Sequence, residues 1–166
     1  MVLKTRNKSL GFTLVELGVG VALLLVISSF AVLTLRPAEL YVSGRDKKRL
    51  SDISLLERMI TEYYIDNEVY PGVESVIYLS TNLPSGNTGP LQNPATGWIG
   101  PGVDFSTYNV KLPTDPENTT AYRYSYTFYE TTFELNAVLE ASAEIMSGDG
   151  GDDANIYEVG NDLTLL

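Results

Sequence analysis

Residues Leu10 to Leu35 read LGFTLVELGVGVALLLVISSFAVLTL, and the only charge among them is Glu16. A helix from Phe12 to Leu35 would rise about 36 Å, enough to cross a hydrocarbon core of about 30 Å with some tilt. The basic residues Lys4, Arg6 and Lys8 come just before it. Positive flanks stay on the cytoplasmic side, so the chain after Leu35 is expected outside the membrane. A carboxylate near the start of such a helix costs roughly 2.5–3.5 kcal/mol on insertion scales, which makes Glu16 a functional candidate. Its simplest partner would be a free α-amine, and cutting the chain between Gly11 and Phe12 would create one.

Further along the helix, Gly18 and Ala22 form a small-xxx-small step that lets neighbouring helix backbones approach closely. Pro37 lacks a backbone donor and is expected to kink or interrupt the helix. From about Arg45 the pattern changes. Leu50, Ile53, Leu56, Ile60 and Tyr63 recur at spacings of three and four, widened by Met59 and Tyr64, which predicts an amphipathic helix lying on a sheet. That helix should fade near Asp66-Asn67, ahead of Tyr70-Pro71-Gly72.

Residues 73–115 are rich in Pro, Gly, Asn, Ser and Thr and read as a long connection, with Trp98 an anchor within it. After Thr120, Tyr122, Tyr124, Tyr126 and Phe128 alternate with polar residues. Phe133, Leu135, Ala137 and Leu139 do the same, so the two runs predict an antiparallel hairpin. Residues 155–159 are a candidate third strand. The fold class expected is α+β: a long N-terminal helix, half transmembrane and half amphipathic, packed on a small antiparallel sheet.

Composition narrows the chemistry. Among 166 residues there is no cysteine and no histidine, which excludes disulfides, thiolate sites and the commonest general base. The remaining side chains show no spacing that suggests an active site, so no enzyme is expected. The net charge is −10, and beyond Asn67 only Lys111 and Arg123 are basic against fourteen carboxylates. So acidic a domain repels nucleic-acid phosphates, and no direct binding is expected. Asp149, Asp152 and Asp153 lie within a run that also holds Gly150 and Gly151. Hard cations such as calcium take oxygen ligands from loops of this kind, although the spacing is not that of an EF-hand, and a solvated acidic turn is the alternative.

The junction Gly11-Phe12-Thr13-Leu14-Val15-Glu16, with its short basic leader, resembles the processing site of type IV pilins and type II secretion pseudopilins. Two further phrases resemble the family: Tyr63 to Gly72 (YYIDNEVYPG), and Leu112-Pro113-Thr114-Asp115-Pro116 ahead of the sheet. The resemblance implies a leader at residues 1–11, a filament-core helix at 12–36, an amphipathic helix at 37–67 and a head at 68–166. A variable surface loop would span 73–115 of that head. It implies cleavage after Gly11 by a prepilin peptidase, methylation of Phe12, and a Glu16 carboxylate that meets the Phe12 amine of a neighbouring subunit. Phe12, Glu16, Gly18, Ala22 and Pro37 are then assembly residues, and Asp149, Asp152 and Asp153 a calcium loop like that of related pseudopilins.

The partners implied are copies of the chain itself in a helical homo-oligomer, the peptidase, an assembly platform with its cytoplasmic ATPase, and the membrane before assembly. Localisation would pass from the cytoplasmic membrane to an extracellular filament. A pilus subunit is the reading favoured, with a secretion pseudopilin as its alternative. Outside the family, the alternative is an uncleaved membrane anchor carrying a ligand-binding head.

Overall fold

The computed structural model describes residues 11–35 and 37–166; the basic leader residues Lys4, Arg6 and Lys8 lie outside them. The chain divides into an N-terminal unit ending at Leu40 and a second unit from Tyr41 to Leu166. The arrangement is α+β, with a long apolar N-terminal helix and a four-stranded antiparallel sheet, consistent with a pilin-like fold.

In the first unit, α1 runs Leu14–Leu35 and is apolar on every side. Two of its hydroxyls bond within the helix: that of Ser29 donates to the Leu25 carbonyl and that of Thr34 to the Phe30 carbonyl, each at 2.8 Å. Such back-bonding lets hydroxyls sit in an apolar helix without an outside partner. α2 is Pro37–Asn67, so Pro37 stands in a first helical turn, where its missing N–H is tolerated. Residue 36, between the two helices, lies outside the described residues.

In the second unit α2 ends where the residues require it. Asn67 Nδ2 donates to the Tyr63 carbonyl at 2.9 Å, and the Glu68 N–H reaches back to Tyr64 O at 2.8 Å. Glu68 takes φ 60°, the left-handed turn that commonly closes a helix. The buried face of α2 is Ile53, Leu56, Met59 and Ile60, with Leu50 and Tyr63 half-buried at its ends. It packs on β2 (Tyr124–Tyr129) and β3 (Thr132–Ala137) through Tyr124, Tyr126, Phe133, Leu135 and Ala137. The hairpin turns tightly: Tyr129 pairs with Thr132, and Glu130 takes φ 50° between them.

Two outer strands complete the sheet in the order β1-β2-β3-β4. β1 is only Tyr78–Leu79, paired antiparallel with β2, and comes from within residues 73–115. β4 is Tyr157–Gly160, so the candidate strand at 155–159 begins two residues later and extends one further. Between β3 and β4 lies the short helix α3, Ala143–Met146.

The 73–115 connection is thus part of the core as well as of the surface. Trp98, Ile99, Val103, Phe105 and Leu112 are buried in it, and Trp98 Nε1 donates to the Pro113 carbonyl at 2.7 Å. Gly72 and Gly100 hold its base, both at positive φ. A Cβ on Gly100 would come to 2.5 Å from Gly72 Cα, and one on Gly72 would strike the Tyr78 ring at 2.7 Å. Glycine is required where backbones approach this closely.

Candidate functional site

The N-terminal helix presents its apolar surface without a partner. Phe12, Leu14 and Leu33 are each more than three-quarters exposed, and no large apolar side chain between Phe12 and Leu33 is less than 48% exposed. Gly18 and Ala22 lie open on the helix, and a Cβ added at Gly18 would meet nothing within 4 Å. From Leu14 to Thr34 the helix is long and apolar enough to cross a membrane. Burying so large an apolar surface in lipid or against other helices is strongly favourable, whereas leaving it in water is not.

Glu16 sits at the head of this helix in a reciprocal cap. Its Oε2 accepts from the Thr13 N–H and from the Thr13 hydroxyl, both at 2.8 Å, while Thr13 Oγ1 accepts from the Glu16 N–H at 3.2 Å. This is the capping box, in which a Ser/Thr and a Glu three residues later satisfy donors that a helix start leaves free. The Thr13-x-x-Glu16 spacing carries that signal in the sequence, so the role of Thr13 was open to a reading of the residues. The carboxylate also lies at the positive end of the helix dipole. Within its own chain, therefore, Glu16 has partners even before any α-amine approaches.

A second polar centre lies inside the head. Arg49, fully buried, donates from Nε to Asp115 Oδ2 at 2.6 Å and from Nη2 to Asp115 Oδ1 at 3.2 Å. Its Nη1 reaches Asp46 Oδ1 at 3.0 Å and Glu140 Oε1 at 2.5 Å. Arg45 joins from the edge, with Nε on Glu140 Oε1 at 2.6 Å and Nη2 on Glu140 Oε2. Asp46 also accepts the Glu140 and Ala141 N–H groups and the Ser142 hydroxyl. The cluster ties α2 to the loop before β2 and to the end of β3.

These contacts set the charges. The hydrogen bond from Arg45, opposed by burial and joined by that from Arg49, takes the Glu140 carboxyl down to about 2. Burial alone would raise Asp46, but the Glu140 and Ala141 N–H groups, Ser142 and Arg49 hold it below the usual range. Burial works against the charge on Arg49 too, and its three carboxylate partners more than offset it. All of these donors and acceptors face one another, so the cluster is structural. Its Asp115 is the acidic residue of the Leu112–Pro116 phrase.

The acidic turn of Asp149, Asp152 and Asp153 does not gather as a ligand set. Asp149 Oδ1 accepts the Gly151 N–H at 2.9 Å and its Oδ2 the Glu158 N–H at 2.9 Å; Asp153 Oδ1 accepts from Asn155 N and Nδ2. These bonds shape the turn into β4. Among the described residues no three His, Cys, Asp or Glu side chains form a group able to hold a metal ion.

An exposed apolar helix with a capped glutamate at its start, followed by an amphipathic helix on an antiparallel sheet, is the plan of a pilin-like subunit. One curated relative supports that family. The chain is 34% identical over 84 residues to the type II secretion system core protein G of Vibrio cholerae, a match covering 48% of this chain. The chain spans only 56% of the length of that relative. No protein-family model matches the sequence, and no solved structure matches it significantly.

Proposed function

We propose that the chain is a structural subunit of an extracellular type IV pilus-like filament, assembled through α1. The observation that carries this is α1 itself, apolar on all sides, unpartnered in its own unit and begun by Glu16. On this reading a prepilin peptidase cuts after Gly11, Phe12 is methylated, and the subunit waits in the cytoplasmic membrane with its head outside. Assembly on a platform driven by a separate ATPase then packs the α1 helices together, with Gly18 and Ala22 at close approaches and Pro37 loosening the helix. The Thr13 cap gives way in part as Glu16 turns to the Phe12 ammonium of a neighbour. Such a pair, desolvated and dependent on axial stagger, fixes register more than it adds stability. The acidic heads form the surface.

The similarity to a type II secretion system core protein favours a second reading, a secretion pseudopilus built by the same steps. The first test is the intact mass and N-terminal sequence of protein sheared from cell surfaces. A chain starting at Phe12 and one methyl group heavier supports the filament reading, and loss of the sheared protein when secretion genes are deleted selects the pseudopilus. A chain still beginning at Met1 and confined to membranes refutes both readings and leaves an anchored, ligand-binding head. Glu16→Ala should leave membrane insertion intact while blocking incorporation; normal assembly of that variant would sink the role given to Glu16.

A further inference from the structure

One cleft of the second unit carries a positive charge without an ion-pair partner among the described residues. Lys111 is exposed and belongs to none of the ion pairs there. It lines an open cleft of about 510 Å³ with Lys48, Asp52, Leu55, Pro113 and Asp115. The two carboxylates of the cleft are already matched inside the head. Asp115 holds Arg49, and Asp52 accepts from Lys48 and from the Tyr124 hydroxyl. Lys111 is thus the unmatched charge, and Lys48, its side chain 55% exposed, keeps ammonium protons to spare.

Another place on the same unit carries the opposite charge. The turn between β2 and β3 presents Tyr129, 51% exposed, and Glu130, also exposed. Glu74 comes up beside them, its Oε1 accepting the Glu130 N–H at 2.8 Å. Both carboxylates are open to solvent, and neither belongs to an ion pair among the described residues. Two like charges held together in this way attract a cationic partner more strongly than either alone.

α2 fixes where the two features lie along the head. The cleft is at the level of Lys48, Asp52 and Leu55. The hairpin turn is at the level of Tyr64, which stacks on Tyr70, whose hydroxyl in turn donates to the Thr131 carbonyl at 3.4 Å. At about 1.5 Å per residue, Tyr64 lies about 18 Å beyond Asp52 along the helix. Within one head the sheet holds the two charges apart. A second head displaced along the helix direction brings them together.

We propose that Glu74 and Glu130, at the hairpin turn of one subunit, dock on Lys111 and Lys48 in the cleft of a second copy, so that heads stack end to end. Charge and position both select a second copy as the occupant: it carries the complementary pair, at the other end of the head. The two surfaces share no residue, so each copy can use both at once. A heterologous contact of this kind propagates into a filament unless its rotation closes a ring. Tyr129 beside the carboxylates, and Leu55 and Pro113 in the cleft, supply apolar surface that excludes water around the charges. The contact rests on the filament reading, to which it adds a bond between heads separate from the packing of α1.

The test is cross-linking of sheared filaments with a water-soluble carbodiimide, which joins a lysine amine directly to a carboxylate in contact with it. Mass spectrometry should find Lys111 joined to Glu130 or Glu74 in oligomers, and no such link in the monomer dissolved in detergent. Lys111→Glu and Glu130→Lys should each lower the yield of filaments by roughly tenfold or more, through the like charges they bring together. Both changes in one chain should restore most of the yield, because the charges are then exchanged. Each variant should melt in detergent where the unsubstituted chain does, since both positions are exposed. Filaments that lack the cross-link, an unchanged yield from either single variant, or a loss that the exchanged pair does not repair overturns the contact and leaves the filament reading standing. Absence of filaments from the unsubstituted chain overturns both. A Lys111 link to an acidic peptide of another protein overturns the contact in favour of a foreign partner.

Discussion

Replacing Arg49 by Met should be among the most damaging single changes in the head. The guanidinium makes four hydrogen bonds to three carboxylates from a fully buried position. Not all of its partners would be stranded. Asp46 keeps two backbone N–H groups and Ser142, Glu140 keeps Arg45, and Asp115 Oδ1 keeps the Glu117 and Asn118 N–H groups. Asp115 Oδ2 loses its donor and would remain a buried charge. Breaking one side of a buried ion pair costs about 3–5 kcal/mol, because the abandoned charge has lost both water and partner. With a urea m-value of about 2 kcal/mol/M, the unfolding midpoint should fall by roughly 2 M at constant m. Trp98 is the single tryptophan and is fully buried, so its fluorescence reports the transition for the whole chain in mild detergent. Arg49→Met with Asp115→Asn should recover much of the loss, since the stranded charge is then gone. A loss below about 1 kcal/mol for the single change would refute the reasoning and make the cluster no better than a surface pair.

Acid should loosen the same region. Glu140 is held at about 2 in the folded chain against an ordinary 4.5, so its contribution is complete above pH 4.5 and disappears as pH falls from there toward 2. Allowing for the partial exposure of Arg45, no more than about 2 kcal/mol is at stake, and Glu140→Gln should flatten that limb of a stability–pH curve. Gly72→Ala should cost about 2–3 kcal/mol, read as a lower melting temperature, because φ is 106° and the new Cβ meets the Tyr78 ring. It should also disturb the 2.8 Å bond from the Val73 N–H to the Tyr78 hydroxyl. Thr13→Ala removes the cap, costs about 1 kcal/mol of helix stability and should still permit assembly; the contrast with Glu16→Ala separates capping from contact between subunits.

The parts legible in the sequence were those governed by period. The apolar run of α1, the Ile53-Leu56-Ile60 stripe of α2 and the Tyr124-to-Phe128 alternation of β2 stand where the spacing puts them. β1 was not legible, because two residues carry no period, and it is held by pairing with Tyr126 and Ser125. The polar residues were the harder part. Asp52 reads as part of the wet face of α2, yet it is nearly buried and accepts from Lys48 at 2.6 Å and from the Tyr124 hydroxyl at 2.9 Å. Arg49 reads as one base in a basic stretch; Asp46 is three positions before it, but Asp115 and Glu140 are 66 and 91 positions away, beyond the reach of any local pattern. Glu134 and Asn136 alternate as an outward face should, but the final residues fold back over them. At the N-terminus the cap of Glu16 was readable from its spacing, whereas the apolar face of α1 shows its exposure only once the head is seen to have a core of its own.

The buried arginine also orders events in time. Loops of 66 and 91 residues must close before it meets Asp115 and Glu140, and closure over such distances comes late in a folding reaction. The hairpin of β2 and β3 and the helical turns near Ile53 can form from neighbours in sequence. The turn of α2 that carries Asp46 and Arg49 then locks last, after the transition state. Arg49→Met should therefore leave the refolding rate nearly unchanged and shorten the lifetime of the folded head by roughly two to four orders of magnitude, the factor that about 3–5 kcal/mol represents. For the filament subunit proposed above, that lifetime sets how long an assembled head stays folded.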